Sequence, residues 1–197
     1  MTDGRDILAL ILDDHTWFRE QFLRLDELRA ASAPPTELAA VWTPLAARLD
    51  VHAAAEEAIF YPQLLRRGED DPEEETLDAI GDHNDIRDGV READAADVGD
   101  DEWWAAVRAA REANDEHMAE EEREGIADFR SHAPPRLRRS MGEQFAAFLA
   151  EHRTSDEVDT SDVDPEGYVR RIEQDIEQES PAGTGGSLRI GSLKGRS

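Results

Sequence analysis

Apolar residues recur along this 197-residue chain at the three- and four-residue spacing of amphipathic α-helices. The pattern predicts four long helices and a shorter fifth one, each bounded by a cap, proline or glycine. The predicted helices run from a cap at Thr2 or Asp3 to Pro34, from Thr36 to Gly68, from Pro72 to Ala96, from Asp101 to Ser131 and from Arg136 to Arg153. Because short turns join them, we expect an all-α protein: an up-and-down antiparallel four-helix bundle with an additional C-terminal helix and a flexible tail.

Two prolines and a change of composition modify the predicted helix boundaries and the extent of the domain. Pro44 either kinks the second helix or marks its true start with Thr43 as cap, and Pro62 bends its last turn. We expect residues 1–153 to form the helical domain. Residues 154–197 are predicted to be an acidic linker, a short helix and a disordered Gly/Ser-rich tail.

One histidine lies on the apolar stripe of each of the first four predicted helices, and two of the four are followed by a glutamate four residues later. These side chains are His15, His52, His83 and His117, with Glu56 and Glu121. At a rise of about 1.5 Å per residue, all six lie about 13–21 Å from the same end of an antiparallel bundle. The six side chains are therefore predicted to share one layer of the interior.

The chemistry of this layer favours two metal ions. A spacing of four residues puts the imidazole and the carboxylate on one helix face, so the histidine binds one metal while the glutamate reaches the next. Since no arginine or lysine occupies the neighbouring stripe positions of the second and fourth predicted helices, a cation from solution is the natural partner for these buried carboxylates. Glu57 competes with Glu56 for this role, as Glu120 and Glu122 do with Glu121. In the alternative interpretation, the histidines are hydrogen-bonded core residues of a structural acidic module.

Charge and composition narrow the function classes. The chain has 47 acidic against 22 basic residues, a formal net charge of -25, and Lys194 is its only lysine. Such a surface repels phosphate groups, so we expect no nucleic acid and no membrane as partner. Acid excess of this kind is typical of proteins from salt-loving microbes. The absence of cysteine excludes disulfides, thiolate-bound zinc and iron–sulfur clusters. Without an apolar span or leader, the expected location is the cytoplasm.

The motifs and their order resemble the hemerythrin-like, HHE cation-binding family over roughly residues 5 to 150. The matching motifs are Asp14-His15, His52-Ala-Ala-Ala-Glu56-Glu57, Asp82-His83 and His117-Met-Ala-Glu-Glu121-Glu122. The resemblance implies a non-haem di-iron centre in a helix bundle, used to bind oxygen or nitric oxide, to sense, or to supply iron. It implies His15 and His52 on one iron, His83 and His117 on the other, and bridging Glu56 and Glu121. The donor types fit two iron ions, and also manganese or zinc.

Two positions depart from the oxygen-carrying members of that family. They have a further histidine four residues after the helix-three ligand, where this chain has Arg87, and they tend to have an aspartate five residues after the helix-four histidine, where this chain has Glu122. The resemblance therefore implies sensing or iron handling rather than reversible oxygen carriage. The alternative is a di-iron enzyme, either peroxidase-like or donating iron for cluster repair. A sensing role would require a separate protein partner.

Overall fold

The computed structural model describes residues 5–179, and every regular element in that range is helical. The helices are α1 (Ile7–Ala30), α2 (Pro35–Ala55), a π-helical turn (Glu56–Phe60), α3 (Tyr61–Arg67), α4 (Pro72–Ala95), α5 (Asp101–Arg123), α6 (Gly125–His132), α7 (Pro135–Glu151), a 3₁₀ turn (Ser155–Glu157) and α8 (Pro165–Glu179). The prediction of an all-α protein is confirmed. None of the helices in the described residues is long and apolar enough to cross a membrane.

The start of α1 differs from the sequence prediction. Thr2 and Asp3, the predicted caps, lie outside the described residues. The helix begins at Ile7, where the Asp6 carboxylate accepts a hydrogen bond from the Leu8 backbone N–H. Asp6 thereby satisfies one of the free N–H groups at the helix start.

The second predicted helix continues through Pro44 as an α-helix and changes its register before Pro62. Pro44 lies inside α2, which begins at Pro35, so Thr43 does not cap a new helix. Pro62 has no N–H, and its ring clashes with the carbonyl four residues earlier in a regular helix. The chain passes into the wider π-helical turn at Glu56–Phe60 just before this proline. The π turn therefore lies at the glutamate that the sequence singles out.

The fourth predicted helix is broken near its end. α5 stops at Arg123 and α6 starts at Gly125, with distorted backbone at Glu124. A Cβ atom at Gly125 would lie 2.8 Å from Glu75 Oε1 on α4, so a larger residue would displace the end of that side chain. The prediction of one continuous helix over residues 101–131 is therefore wrong at Glu124, where the structure has a break between two helices.

Two apolar clusters pack on either side of the histidines. On α1, the histidine follows Ile11 of one cluster and precedes Phe18 of the other. On α4, it lies between Ile80 and Ile86 in the same way. The histidine layer is therefore enclosed by apolar packing along the helices, where water is excluded and polar atoms need partners.

The C-terminal part of the described chain packs on the other helices. α7 contacts α1 and α2 and buries Phe145. α8 contacts α3 and α4 and buries Tyr168 and Val169. Between them, the Asn84 side chain donates to the Val163 carbonyl and accepts from its N–H, both at 2.9 Å. The predicted short helix beyond residue 153 is thus attached to α3 and α4, whereas the predicted Gly/Ser-rich tail lies outside the described residues.

Candidate metal centre

The structure brings all six predicted side chains into one buried cluster. Each of the six is at most 4% exposed. Two groups of three side chains could each hold a metal ion, and within each group the ligand atoms lie within 4.8 Å of one another. The first group is His15, His52 and Glu56, and the second is Glu56, His83 and His117. Glu56 is common to both groups. The cluster therefore offers two neighbouring places for a cation with one shared carboxylate.

The two oxygens of Glu56 face different histidine pairs. Oε1 lies 2.9 Å from His52 Nε2, whereas Oε2 lies 3.3 Å from His83 Nε2 and 3.8 Å from His117 Nε2. The Nε2 atoms of His83 and His117 are only 3.2 Å apart. A carboxylate divided in this way has the arrangement of a bridging ligand.

Glu121 lies on the His15 side of the cluster. Its Oε2 is 3.3 Å from His15 Nε2, and its Oε1 accepts a hydrogen bond of 2.9 Å from the Tyr61 hydroxyl. Since Tyr61 occupies one oxygen, Glu121 presents only the other to the histidines. The structure thus brings Glu121 to the first group but not to the second.

The inner atoms of the cluster lack hydrogen-bond partners within the protein. The atoms concerned are Nε2 of His15 and of His52, both oxygens of Glu56, and Oε2 of Glu121. Buried polar atoms of this kind cost about 1–3 kcal/mol each when they remain unpaired. A cation among them would satisfy these atoms together. Nitrogen and carboxylate donors without thiolate suit iron, manganese or zinc.

Each histidine has a carboxylate near its other ring nitrogen, and three of the four contacts are within hydrogen-bond distance. The Nδ1–oxygen distances are 3.0 Å for His52 with Asp14, 2.9 Å for His83 with Glu57, 2.9 Å for His15 with Glu122 and 3.6 Å for His117 with Asp82. A carboxylate on Nδ1 fixes the tautomer that leaves Nε2 free and raises its basicity as a ligand. This outer layer directs all four Nε2 atoms inwards.

The four carboxylates connect the helices in a closed ring. Each carboxylate is next in sequence to an inner side chain of its own helix, but it contacts the histidine of another helix. α1 supplies Asp14 to α2, the π turn supplies Glu57 to α4, α4 supplies Asp82 to α5, and α5 supplies Glu122 to α1. We call this set the carboxylate ring. It makes the position of every histidine depend on a neighbouring helix.

Arginines hold three of the four carboxylates. Arg48 donates to both oxygens of Asp14 at 2.8 and 3.2 Å, Arg87 NH2 donates to Glu57 at 2.7 Å, and Arg19 lies 2.9 Å from Glu122. Among the described residues, no arginine ion pair reaches Asp82. Three of the four outer carboxylates are therefore held by an arginine, and Asp82 is not.

Opposite charges govern the protonation of the centre without metal. Burial lowers the pKa of His52, but Glu56 and Asp14 outweigh it and raise that pKa to about 10. Burial acts likewise on His117, where Asp82 and Glu56 prevail and raise the pKa to about 10. Against the effect of burial, His52 and its neighbours hold the pKa of Glu56 well below its usual range. A metal ion must therefore displace protons from these nitrogens.

Sequence reasoning missed the outer partners of the cluster. Asp14 and Asp82 belong to the motifs that identified the histidines, but they contact the histidines of other helices. The sequence predicts Glu57 as a candidate ligand or outer partner beside Glu56 without naming its histidine, and the π turn directs it to His83. Tyr61 belongs to the helix-two motif that resembles the family, but the sequence does not assign it a partner.

Comparison with known proteins agrees with this geometry. The family model for the hemerythrin HHE cation binding domain matches residues 6–127, more than half of the chain. This range contains all six inner side chains and the whole carboxylate ring. No curated protein and no solved structure matches the chain. By its sequence, and with a cluster of cation-binding side chains in the matching helices, the chain belongs to the hemerythrin HHE cation-binding family.

Proposed function

We propose that this chain is a non-haem di-iron protein whose carboxylate-bridged centre binds oxygen or nitric oxide for sensing, or handles iron. The observation that carries the proposal is the division of Glu56 between two histidine pairs, with Oε1 towards His52 and Oε2 towards His83 and His117. The proposed architecture is an up-and-down antiparallel bundle of α1, α2–α3, α4 and α5–α6. Four histidines, one from each part of the bundle, meet in its interior.

The roles of the side chains follow from the two groups. His15, His52 and Glu121 would hold one iron, His83 and His117 the other, and Glu56 both. Iron would supply a reversible change of oxidation state and coordination positions that a small ligand can take. The outer carboxylates keep the imidazoles oriented, and the apolar clusters exclude water from the site.

Arg87 supports sensing or iron handling rather than reversible oxygen carriage. This arginine is 1% exposed and donates to Glu57, which in turn contacts His83. At that position it contributes a positive charge and no ligand atom. Fewer protein donors leave more coordination positions for exogenous ligands.

The proposal is tested by metal content and spectroscopy of the purified protein. Wild type loaded anaerobically with iron(II) is expected to retain two metal ions per chain, and Glu56→Ala fewer than two. Because His152 lies outside the cluster, His152→Ala is the matched control and is expected to retain both. Addition of oxygen or nitric oxide should change the near-ultraviolet and visible spectrum of the loaded wild type. A wild type that retains no iron, or a spectrum indifferent to both gases, contradicts the proposal.

A further inference from the structure

The two halves of the centre offer different numbers of ligand atoms. Three side chains group together in the first half, His15, His52 and Glu56, and Oε2 of Glu121 adds a fourth donor because it lies 3.3 Å from His15 Nε2. Three protein atoms face the second half: Nε2 of His83, Nε2 of His117 and Oε2 of Glu56. Glu121 does not balance the count, because among the described residues no contact of 4.0 Å or less joins it to His83 or His117, and its second oxygen accepts the Tyr61 hydrogen bond.

The carboxylates that contact the Nδ1 atoms also differ between the two halves. In the first half, His15 and His52 each contact a carboxylate at 3.0 Å or less, and an arginine holds each of these carboxylates. In the second half, the nearest oxygen of Asp82 lies 3.6 Å from His117 Nδ1, beyond a normal hydrogen bond. The Asp82 side chain is 25% exposed. His117 is therefore the least constrained of the four imidazoles.

Arg87 adds a positive charge on the side of the second half. Its NH2 group lies 2.7 Å from Glu57 Oε1, and that same oxygen lies 2.9 Å from His83 Nδ1. Arg87 Nε and NH1 are buried and have no hydrogen-bond partner within the protein. The arginines behind the first half, Arg19 and Arg48, are 44% and 32% exposed, so solvent screens their charge, whereas Arg87 is 1% exposed. The buried guanidinium, one helical turn from His83, therefore repels a cation at that histidine with little screening.

We propose that the two metal positions are unequal: the position at His15 and His52 retains its metal, while the position at His83 and His117 exchanges it. The inference rests on the proposed function, since it divides the same di-metal centre. Donor number, restraint of the imidazoles and local charge all favour the first position. The protein therefore passes through a stable form with one metal, and the second position is the one that takes up and gives away a divalent cation.

The test is an anaerobic titration of the metal-free protein with cobalt(II), followed by its visible absorption and by competition with a chelator. Wild type is expected to bind cobalt in two steps whose affinities differ by at least about tenfold. His83→Ala should abolish the weak step and keep the tight one, and His15→Ala should do the reverse. Circular dichroism of each variant verifies that its helices form.

Two conservative variants of the carboxylate ring make the test independent of lost ligands. Asp14→Asn removes the charge behind His52 and should weaken the tight step about 10- to 100-fold. Asp82→Asn, the matched control, should change either step by less than about threefold, because its contact to His117 is already long. Two equal steps in wild type, or loss of the tight step in His83→Ala, would overturn the inference alone. A wild type that binds no cobalt would overturn the proposed function and the inference with it.

Discussion

Two glycines of α4 allow a matched test of how closely the helices of the centre must approach. A Cβ atom at Gly89 would lie 2.6 Å from the backbone nitrogen of Ala110 on α5 and 2.8 Å from its Cα and Cβ. At Gly81, on the same helix, a Cβ atom would meet nothing within 4 Å. The same substitution, glycine to alanine, is therefore expected to act in opposite directions at the two positions.

The magnitudes follow from these distances. At Gly89 the obstacle is backbone, which cannot rotate away, so α4 and α5 must separate by roughly 1 Å, with an overpacking cost of about 1–3 kcal/mol. Alanine regains about 1 kcal/mol of helix propensity at either position. Gly89→Ala should therefore be destabilised by on the order of 1 kcal/mol net, whereas Gly81→Ala should be stabilised by up to about 1 kcal/mol.

The assay is equilibrium denaturation of the metal-free variants, followed by metal titration. Because the His83 and His117 nitrogens meet across α4 and α5 at 3.2 Å, Gly89→Ala should also weaken binding at that pair. Gly81→Ala should bind metal as wild type does. If Gly89→Ala were as stable as wild type and bound metal equally well, the close approach of the two helices would not matter, and the reasoning would be refuted.

Three further predictions concern buried side chains around the centre, each checked by denaturation of the metal-free protein. Burial, with Glu121 close by, raises the pKa of Glu75 to about 7, so ionisation should destabilise the fold as pH rises from about 4.5 to 7. Glu75→Gln should therefore exceed wild type by on the order of 2 kcal/mol above pH 7 and match it below pH 4; equal curves at all pH values would contradict this. Tyr61→Phe leaves a Glu121 oxygen without its donor and should cost about 1–3 kcal/mol; an unchanged free energy of unfolding would show that water replaces the hydroxyl. Phe145→Ala empties the space beside the His52 ring and should cost about 3–5 kcal/mol, whereas a loss below 1 kcal/mol would mean that α7 is not part of the core.

The inner side chains were predictable because helical periodicity alone places them. One histidine per helix, on the apolar stripe and at a similar height, leaves few arrangements in which the imidazoles do not meet. Glu56 and Glu121 follow from the same argument, since four residues make about one turn. The division of Glu56 between two pairs, and the restriction of Glu121 to one, depend on side-chain torsions that the sequence pattern does not contain.

The outer layer was not predictable because its contacts cross between helices. Asp14 precedes His15 in sequence yet contacts His52, and the rotation of α1 against α2 decides this. The π turn is a similar case: the sequence marks Pro62 as a disturbance of the helix, but not whether the helix bends or changes register. The register change is what lets Glu56 face inwards while the next residue, Glu57, contacts His83.

The burial of α8 depends on long-range packing. Its sequence is strongly polar, and only Tyr168 and Val169 are buried against the rest of the protein. The Tyr168 hydroxyl also contacts the backbone carbonyl of Glu57, at the π turn. The few apolar residues of α8 do lie on one face, but the pattern alone does not decide whether a short polar helix docks on the protein or stands in solvent.

The carboxylate ring makes the candidate metal centre depend on the assembly of all four helices. Each of the four helices supplies a carboxylate to the histidine of another helix. Removing one helix therefore leaves two side chains on other helices without their partners, one carboxylate and one imidazole. A nascent or clipped polypeptide consequently lacks a competent site until the last of the four helices has docked. If the centre holds metal as proposed, retention of metal would report that all four helices have assembled, and cleavage of any of them would release it.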